Sequence, residues 1–363
     1  MKVCYSPYNE EAMDQNKYIY QVTKSMEKSG FEVLSVRETI KNIKNFKEVK
    51  VFNLNWYENI YDKNSIKAYI HYLFKLCFLF FLKIFNKKII WTVHNKIPHN
   101  TNNEKLSKKM MIKLANLSNI IITHCEDTNL ELTNLTGNNK LLNKVRKVNH
   151  PNYIGLYNQP NVNLRDYYNI STSDIVFLFL GQIKPYKNIE LIIKAASEFK
   201  VNNIKFIIAG KCVSKEYEDK LQRLIRGNES IIPIFRFIEN EEIPNFLYAS
   251  DVVLLPYDIN SSLNSGAAIL AFSLGKTVIC PRIGTLNEVN SYENMYSYIY
   301  QDENDHINKI IGQIKKILNY QKPKEVLFDK GNNLLKIMER EYSINKISAD
   351  YNLIFSQFYE KKE

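Results

Sequence analysis

The chain has 363 residues, 45% of them apolar and 24% charged, which is enough for two ordinary domains and too apolar for a disordered polymer. Its 49 Lys and Arg outnumber 38 Asp and Glu, and the resulting charge of +11 attracts phosphorylated small molecules, anionic lipid surfaces and nucleic acid alike. No zinc-finger spacing, RNA-binding aromatic signature or arginine-rich tract is present, which sets nucleic acid aside.

The chain opens on a predicted strand, residues 2–6, without the apolar core of a signal peptide, so a cytoplasmic protein is expected. A helix over 16–29, stopped by Gly30, is followed by strands at 32–36 and 49–54, a long helix at 66–85 and a strand at 88–93. A helix at 105–117 and strands at 119–123 and 145–148 complete the first half. Proline, glycine and asparagine interrupt the pattern at 151–166, where an interdomain linker is expected, and a second alternation begins at Ile175. The predicted domains are 1–155 and 165–340, with a last helix from about 344 to the C-terminus. Strands alternating with helices imply parallel sheets covered on both faces, with ligands beyond the carboxyl ends of the strands. Cys4, Cys77, Cys125, Cys212 and Cys280 are scattered and form no C-x-x-C, so buried, reduced thiols are expected.

The 66–85 segment carries Leu73, Phe74, Leu76, Phe78, Leu79, Phe80, Phe81 and Leu82, interrupted by Lys75 and Lys83. Its longest uninterrupted apolar run is seven residues, short of the roughly 20 that span a bilayer, so a spanning segment is not expected. Two readings stay open: a mostly buried core helix, or a helix offering aromatic side chains and lysines to an anionic membrane surface.

Two loops in the second half carry the clearest chemistry. The strand from Ile175 ends in Gly181-Gln182-Ile183-Lys184-Pro185-Tyr186-Lys187, and another ends at Asp258 before Ser261-Ser262-Leu263-Asn264-Ser265-Gly266. Both open helices, whose unpaired N–H groups and positive dipole ends form an anion cradle, with Lys184 and Lys187 beside it. A diphosphate is the natural occupant. Gly275-Lys276-Thr277 is not a Walker A loop, because Leu270 stands where the first glycine belongs and Thr277 enters a strand. No Asp-x-Asp is present, and His99 is not a convincing metal partner for His94. No metal and no cofactor are expected.

Phe179-Leu180-Gly181, Lys187, Ala209-Gly210, the run from Ala249 to Tyr257, the run from Ala271 to Ile279 and the stretch from Gly284 to Glu288 together resemble the nucleotide-binding half of the family-4-like, group 1 bacterial glycosyltransferases. The resemblance implies an α/β GT-B fold, two Rossmann-like doubly wound domains facing a central cleft, with the last helix crossing back onto the first domain. It makes Gly181, Gln182, Lys184, Lys187, Ser262, Asn264, Ser265, Gly266 and Glu288 the donor-binding set, with Lys187 neutralising the donor diphosphate. Gln182 stands where relatives commonly carry arginine. The glutamate pair usual in retaining members falls on Ser262 and Leu270, neither acidic, which makes Glu288 the candidate for the ribose contact.

In the first half, Trp91-Thr92-Val93-His94-Asn95 resembles the family's Thr-x-His-Asn segment, which implies that His94 lies beside the transferred sugar or handles its protons. Asn53 to Glu58 resembles the acceptor-side loop, with Glu58 as a candidate base. Asn95, Trp56 and His150 are the remaining cleft candidates, His150 opening a His-Pro-Asn pattern with either a hinge or a catalytic role. The expected activity is metal-independent hexose transfer from a nucleotide sugar, UDP-linked by default, to a saccharide acceptor, expected to be lipid-linked, in surface polysaccharide synthesis. Inversion and retention both remain open. The competing expectations are a non-catalytic sugar-nucleotide-binding subunit and an epimerase of the same fold.

Overall fold

The computed structural model describes residues 1–96, 103–199 and 203–359, so His99 lies outside the described residues. It divides into two units, Met1–Pro151 with Glu341–Glu363, and Asn152–Arg340.

The first unit is built on β1 (Lys2–Ser6), β2 (Glu32–Leu34), β3 (Val51–Asn55), β4 (Lys88–Thr92), β5 (Ile120–Thr123) and β6 (Val145–Lys147), all parallel, in the order β2-β1-β3-β4-β5-β6. The two-residue period of a strand sends Val3, Tyr5, Val51 and Ile90 to one face and Cys4, Phe52, Leu54, Ile89 and Trp91 to the other. Helices Lys17–Lys28 and Ile344–Ser356 cover the first face; Ser65–Ile84 and Glu104–Leu117 cover the second. The last helix is part of this unit, burying Ile347, Tyr351 and Phe355 beside Tyr18 and Val22, with the Ser29 hydroxyl donating to the Ser348 carbonyl at 2.6 Å.

The second unit holds β7 (Ile175–Leu180), β8 (Ile204–Ala209), β9 (Ile231–Ile234), β10 (Val252–Leu254), β11 (Thr277–Pro281) and β12 (Tyr296–Tyr298), parallel in the order β12-β11-β10-β7-β8-β9. Every residue of β7 is buried, as expected of a central strand covered on both faces. Lys276 donates to the Ser250 carbonyl and Thr277 to the Asn294 carbonyl, so neither faces a nucleotide.

Each sheet reverses its strand order once, between β1 and β3 in the first unit and between β7 and β10 in the second. At such a point the connections leave in opposite directions and open a crevice at the carboxyl ends of the strands.

The Ser65–Ile84 helix departs from expectation. Only Ala68, Tyr72, Leu79 and Leu82 are buried, so it is not a mostly buried core helix. Phe78 and Phe81 pack partly against the core, whereas Ile66, Phe74 and Ile84 are 72%, 73% and 80% exposed. Cys77 is exposed too; the other four cysteines are buried. With 20 residues and a mean hydropathy of 1.4, the helix is long and apolar enough to cross a membrane by length and composition. Counting uninterrupted apolar residues missed this, because the three lysines Lys67, Lys75 and Lys83 still leave the average over 20 residues strongly apolar.

Candidate active site

The three strands that flank the reversal in the second unit deliver three loops to one place. Gly181 ends β7 with φ +132°, and its neighbour Gly210, which follows β8, has φ +150°. A Cβ on Gly210 would lie 1.9 Å from the Gly181 carbonyl oxygen, so this close approach of two strand ends requires glycine. After Gly181 the chain exposes Gln182, buries Ile183 and makes a short turn at Pro185–Lys187. Asn188, left-handed at φ +53°, then starts the helix Ile189–Ser197.

Hydrogen bonds sew this loop to the next two. The Asp258 N–H donates to the Tyr186 carbonyl at 3.1 Å, and Asn188 Nδ2 donates to the Pro256 carbonyl at 2.9 Å. Beyond β11, the Thr285 hydroxyl accepts from the Ser265 N–H at 2.8 Å, and the Thr285 N–H donates to the Leu263 carbonyl at 3.2 Å.

Lys187 is the electrostatic centre of this arrangement. Its Nζ lies 5.6 Å from the centroid of the Phe179 ring, and a Cβ on Gly181 would stand only 3.5 Å from that nitrogen. The ammonium is therefore folded back over the end of β7. Burial, and then the charge of Lys184, push its pKa down to about 8. Lys184 is half-buried and is also lowered by burial. Two desolvated lysines in one loop form a cation site that an anion would stabilise.

The second loop works differently from its sequence reading. Ser265 is 4% exposed, and its hydroxyl accepts from the Ala268 N–H at 3.1 Å and donates to the Tyr257 hydroxyl. It caps the helix Gly266–Ser273, so its side chain is committed to the fold. Ser262 is buried, with its N–H on the Asp258 carbonyl. Gly266 is the first helical residue, and Asn264 and Glu288 are half-buried, Glu288 in the last turn of the helix Gly284–Val289. Eight of the nine donor candidates therefore lie on the loops and helix starts that follow β7 and β10, and Glu288 lies at the end of the short helix that follows β11. A recess of about 680 Å³ lined by Asp174, Phe199, Lys205 and Arg226 opens at the opposite, amino ends of β7 and β8.

The first unit gathers an aromatic and imidazole cluster after β3 to β6. Trp56, at φ +49°, stacks on His94 with ring centroids 4.0 Å apart and planes 14° apart. His94 Nε2 lies 3.0 Å from Asn55 Oδ1, and since Asn55 Nδ2 reaches the Ser6 carbonyl, the imidazole is the donor. The Tyr18 hydroxyl is 2.8 Å from His124 Nε2, whose other nitrogen is 2.7 Å from the Val148 carbonyl. That carbonyl can only accept, so Nδ1 carries the proton and Tyr18 donates. The Tyr18 ring also touches His94 and His150.

Burial pushes His124 down to about 4 and His150 to about 3, and it holds His94 well below the ordinary imidazole value. These are neutral imidazoles near pH 7. Such a His94 is a poor proton acceptor and a good fixed hydrogen-bonding group. Asn95, the next residue, is half-buried.

Tyr18 and His124 were missed by sequence reasoning, and Asn55 was named only as part of the Asn53 to Glu58 loop, without its bond to His94. A signal for His124 existed: it follows Ile120-Ile121-Ile122-Thr123 at a strand end, as His94 follows Thr92-Val93. Glu58 does not join the cluster. It is 1% exposed and accepts from Trp91 Nε1 at 3.1 Å on the sheet face covered by the Ser65–Ile84 helix, where burial raises its pKa. Its carboxylate is a buried partner of Trp91, out of reach of an acceptor hydroxyl. Among the described residues no group of three or more His, Cys, Asp or Glu has the geometry of a metal site.

Two parallel doubly wound sheets with loops so arranged are the GT-B glycosyltransferase fold. Residues 162–331 match the family described as Glycosyl transferases group 1. The chain is 27% identical over 139 residues to lipopolysaccharide 1,2-N-acetylglucosaminetransferase of Salmonella typhimurium, a match covering 36% of each protein. It thus spans about a third of that relative's length.

Two solved structures share the whole fold. Sucrose-phosphate synthase from Thermosynechococcus elongatus superposes with a TM-score of 0.72 at 13% identity, covering 99% of this chain and 98% of that one. Anabaena HepE, in complex with UDP and glucose, superposes with a TM-score of 0.70 at 13% identity, covering 98% and 100%.

Proposed function

We propose that the chain transfers a hexose from a uridine diphosphate sugar to a lipid-linked saccharide during surface polysaccharide synthesis, at the cytoplasmic side of a membrane and without a metal ion. The observation that carries the donor reading is Lys187, a desolvated ammonium folded over the strand end at the point where the sheet order reverses. A nucleoside diphosphate at that place would receive Lys187, Lys184 and backbone N–H groups of the linked loops. The acceptor oxygen attacks the anomeric carbon while the bond to the diphosphate breaks, and the charge growing on the departing phosphate meets a preorganised cation site. The uridine base and the saccharide acceptor are supported by likeness to a protein solved with UDP and glucose and to an N-acetylglucosaminetransferase.

In the first unit, neutral His94, fixed by Asn55 and stacked on Trp56, is suited to orienting a sugar hydroxyl. The test is a thermal-shift panel of UDP, GDP, ADP and dTDP sugars, since a ligand that binds only the native state raises its stability by mass action. Stabilisation by UDP sugars above the others is expected. A flat panel, or turnover of UDP sugar to free sugar without any acceptor, would oppose the transferase reading.

A further inference from the structure

The Ser65–Ile84 helix reverses the usual arrangement, in which an amphipathic helix turns its polar side to water. Ile66, Ile70, Leu73, Phe74, Phe80 and Ile84 fall along one exposed stripe of the helix. Exposed Phe85 continues it at the C-terminal end, and next to Phe85 packs Phe46 of the short helix Ile43–Glu48, whose Ile43 is 74% exposed. A contiguous apolar patch of this kind marks an interaction surface.

The charge around it identifies the partner. Residues 36–118 contain 16 Lys and Arg against 5 Asp and Glu, so the whole net charge of +11 lies in this segment, and the rest of the chain balances at 33 of each sign. The neighbouring helix Glu104–Leu117 exposes Lys105, Lys109 and Lys113 at successive turns. Lys63 and Lys67 flank one end of the apolar stripe, and Lys44 and Lys47 flank the other. None of these seven lysines is in an ion pair with a described residue.

A second copy of the chain would bring two such basic segments together. An anionic lipid surface complements both the apolar stripe and the lysines around it. A spanning orientation would strip Ala68, Tyr72, Leu79 and Leu82 from the core and break the bonds of Lys75 Nζ to the Tyr57 and Asn59 carbonyls. We propose that this helix docks in the plane of an anionic membrane, its Ile66-to-Phe85 stripe seated at the boundary between headgroups and acyl chains and the lysines on the headgroups. This surface is argued from the first unit alone and stands independently of the donor site.

The test uses the full chain and co-sedimentation with vesicles of phosphatidylcholine alone or mixed equally with phosphatidylglycerol. Binding to the anionic vesicles only, reversed by high salt, is expected. Each lysine at the surface contributes about a fivefold factor in partitioning, so K105Q/K109Q/K113Q should weaken binding on the order of 100-fold. Phe74→Ser with Ile84→Ser should weaken it about tenfold or more without lowering the melting temperature, since both side chains are exposed.

Should a variant fail to fold, an environment-sensitive thiol dye on Cys77, the one exposed cysteine, reads the same face in the unmutated chain by a blue shift on anionic vesicles. Equal binding to neutral vesicles, release only by detergent, an unshifted dye, or unaltered binding by both variants would overturn the proposal. So would a dimer in lipid-free solution that F74S/I84S dissolves. UDP affinity should be unchanged in both variants, which separates failure here from failure of the donor reading.

Discussion

Replacing Lys187 by methionine should stabilise the ligand-free protein and weaken its hold on nucleoside diphosphates. The folded-state pKa of about 8, against 10.5 for an ordinary lysine, reports the cost of keeping an ammonium beneath the β7 loop. That difference corresponds to about 3 kcal/mol at most, and water reaching the half-buried residue reduces it to roughly 1–3 kcal/mol. The folded pKa lies below the unfolded one, so the cost is full below about pH 8 and fades as pH rises toward 10.5. The variant's urea midpoint should therefore exceed that of the wild type near neutral pH, by a margin that shrinks in alkali. A bound diphosphate supplies the counter-charge that the fold withholds. Wild-type affinity for UDP should fall above about pH 8, where the free lysine loses its proton, and calorimetry in that range should show proton uptake on binding. Lys187→Met should lose about 1.5–3 kcal/mol, roughly 10- to 150-fold in affinity, and the pH dependence with it. Equal UDP affinity in the two proteins, or wild-type binding indifferent to pH, would refute the assignment.

Gly210→Ala should cost about 1–3 kcal/mol from its backbone conformation alone, and more from the clash with the Gly181 carbonyl; chemical denaturation and UDP titration should both register it. The folded pKa values of His124 and His150, about 4 and 3, lie below the ordinary 6.5, as does that of His94. Stability is thus full above 6.5 and falls on acidification, by up to about 1.4 kcal/mol per histidine per pH unit. A urea midpoint unchanged down to about pH 5 would contradict the buried cluster. Glu58→Gln keeps an acceptor for Trp91 Nε1 and should leave turnover near wild type, whereas loss of turnover in a folded variant would restore Glu58 as a base.

The strand-end positions of the candidate donor loops were legible because their sequence signals are local. A glycine ending a buried strand and two lysines before the next helix lie within seven residues, and the strand order that makes them a site follows from the alternation of elements. What escaped depends on packing across the chain. The Tyr18–His124 bond joins residues 106 apart, and the burial of Glu58 depends on Trp91 arriving from the next strand. Ser265 looks the same in sequence whether its hydroxyl holds a phosphate or caps a helix; the Ala268 N–H and Tyr257 decide it. A helix apolar on nearly all sides carries no periodic clue to which face is covered. The sequence could not tell inward-packed Phe78 and Phe81 from outward Phe74 and Ile84.

The most direct test of the central claim is acceptor-dependent release of UDP from UDP sugars, with lipid-linked saccharide as acceptor, by wild type and Lys187→Met at equal folded concentration. Turnover by the wild type that requires the acceptor and drops roughly 10- to 150-fold in the variant is the predicted result. Turnover indifferent to Lys187, or no turnover of any nucleotide sugar by a wild type that binds UDP, would contradict it.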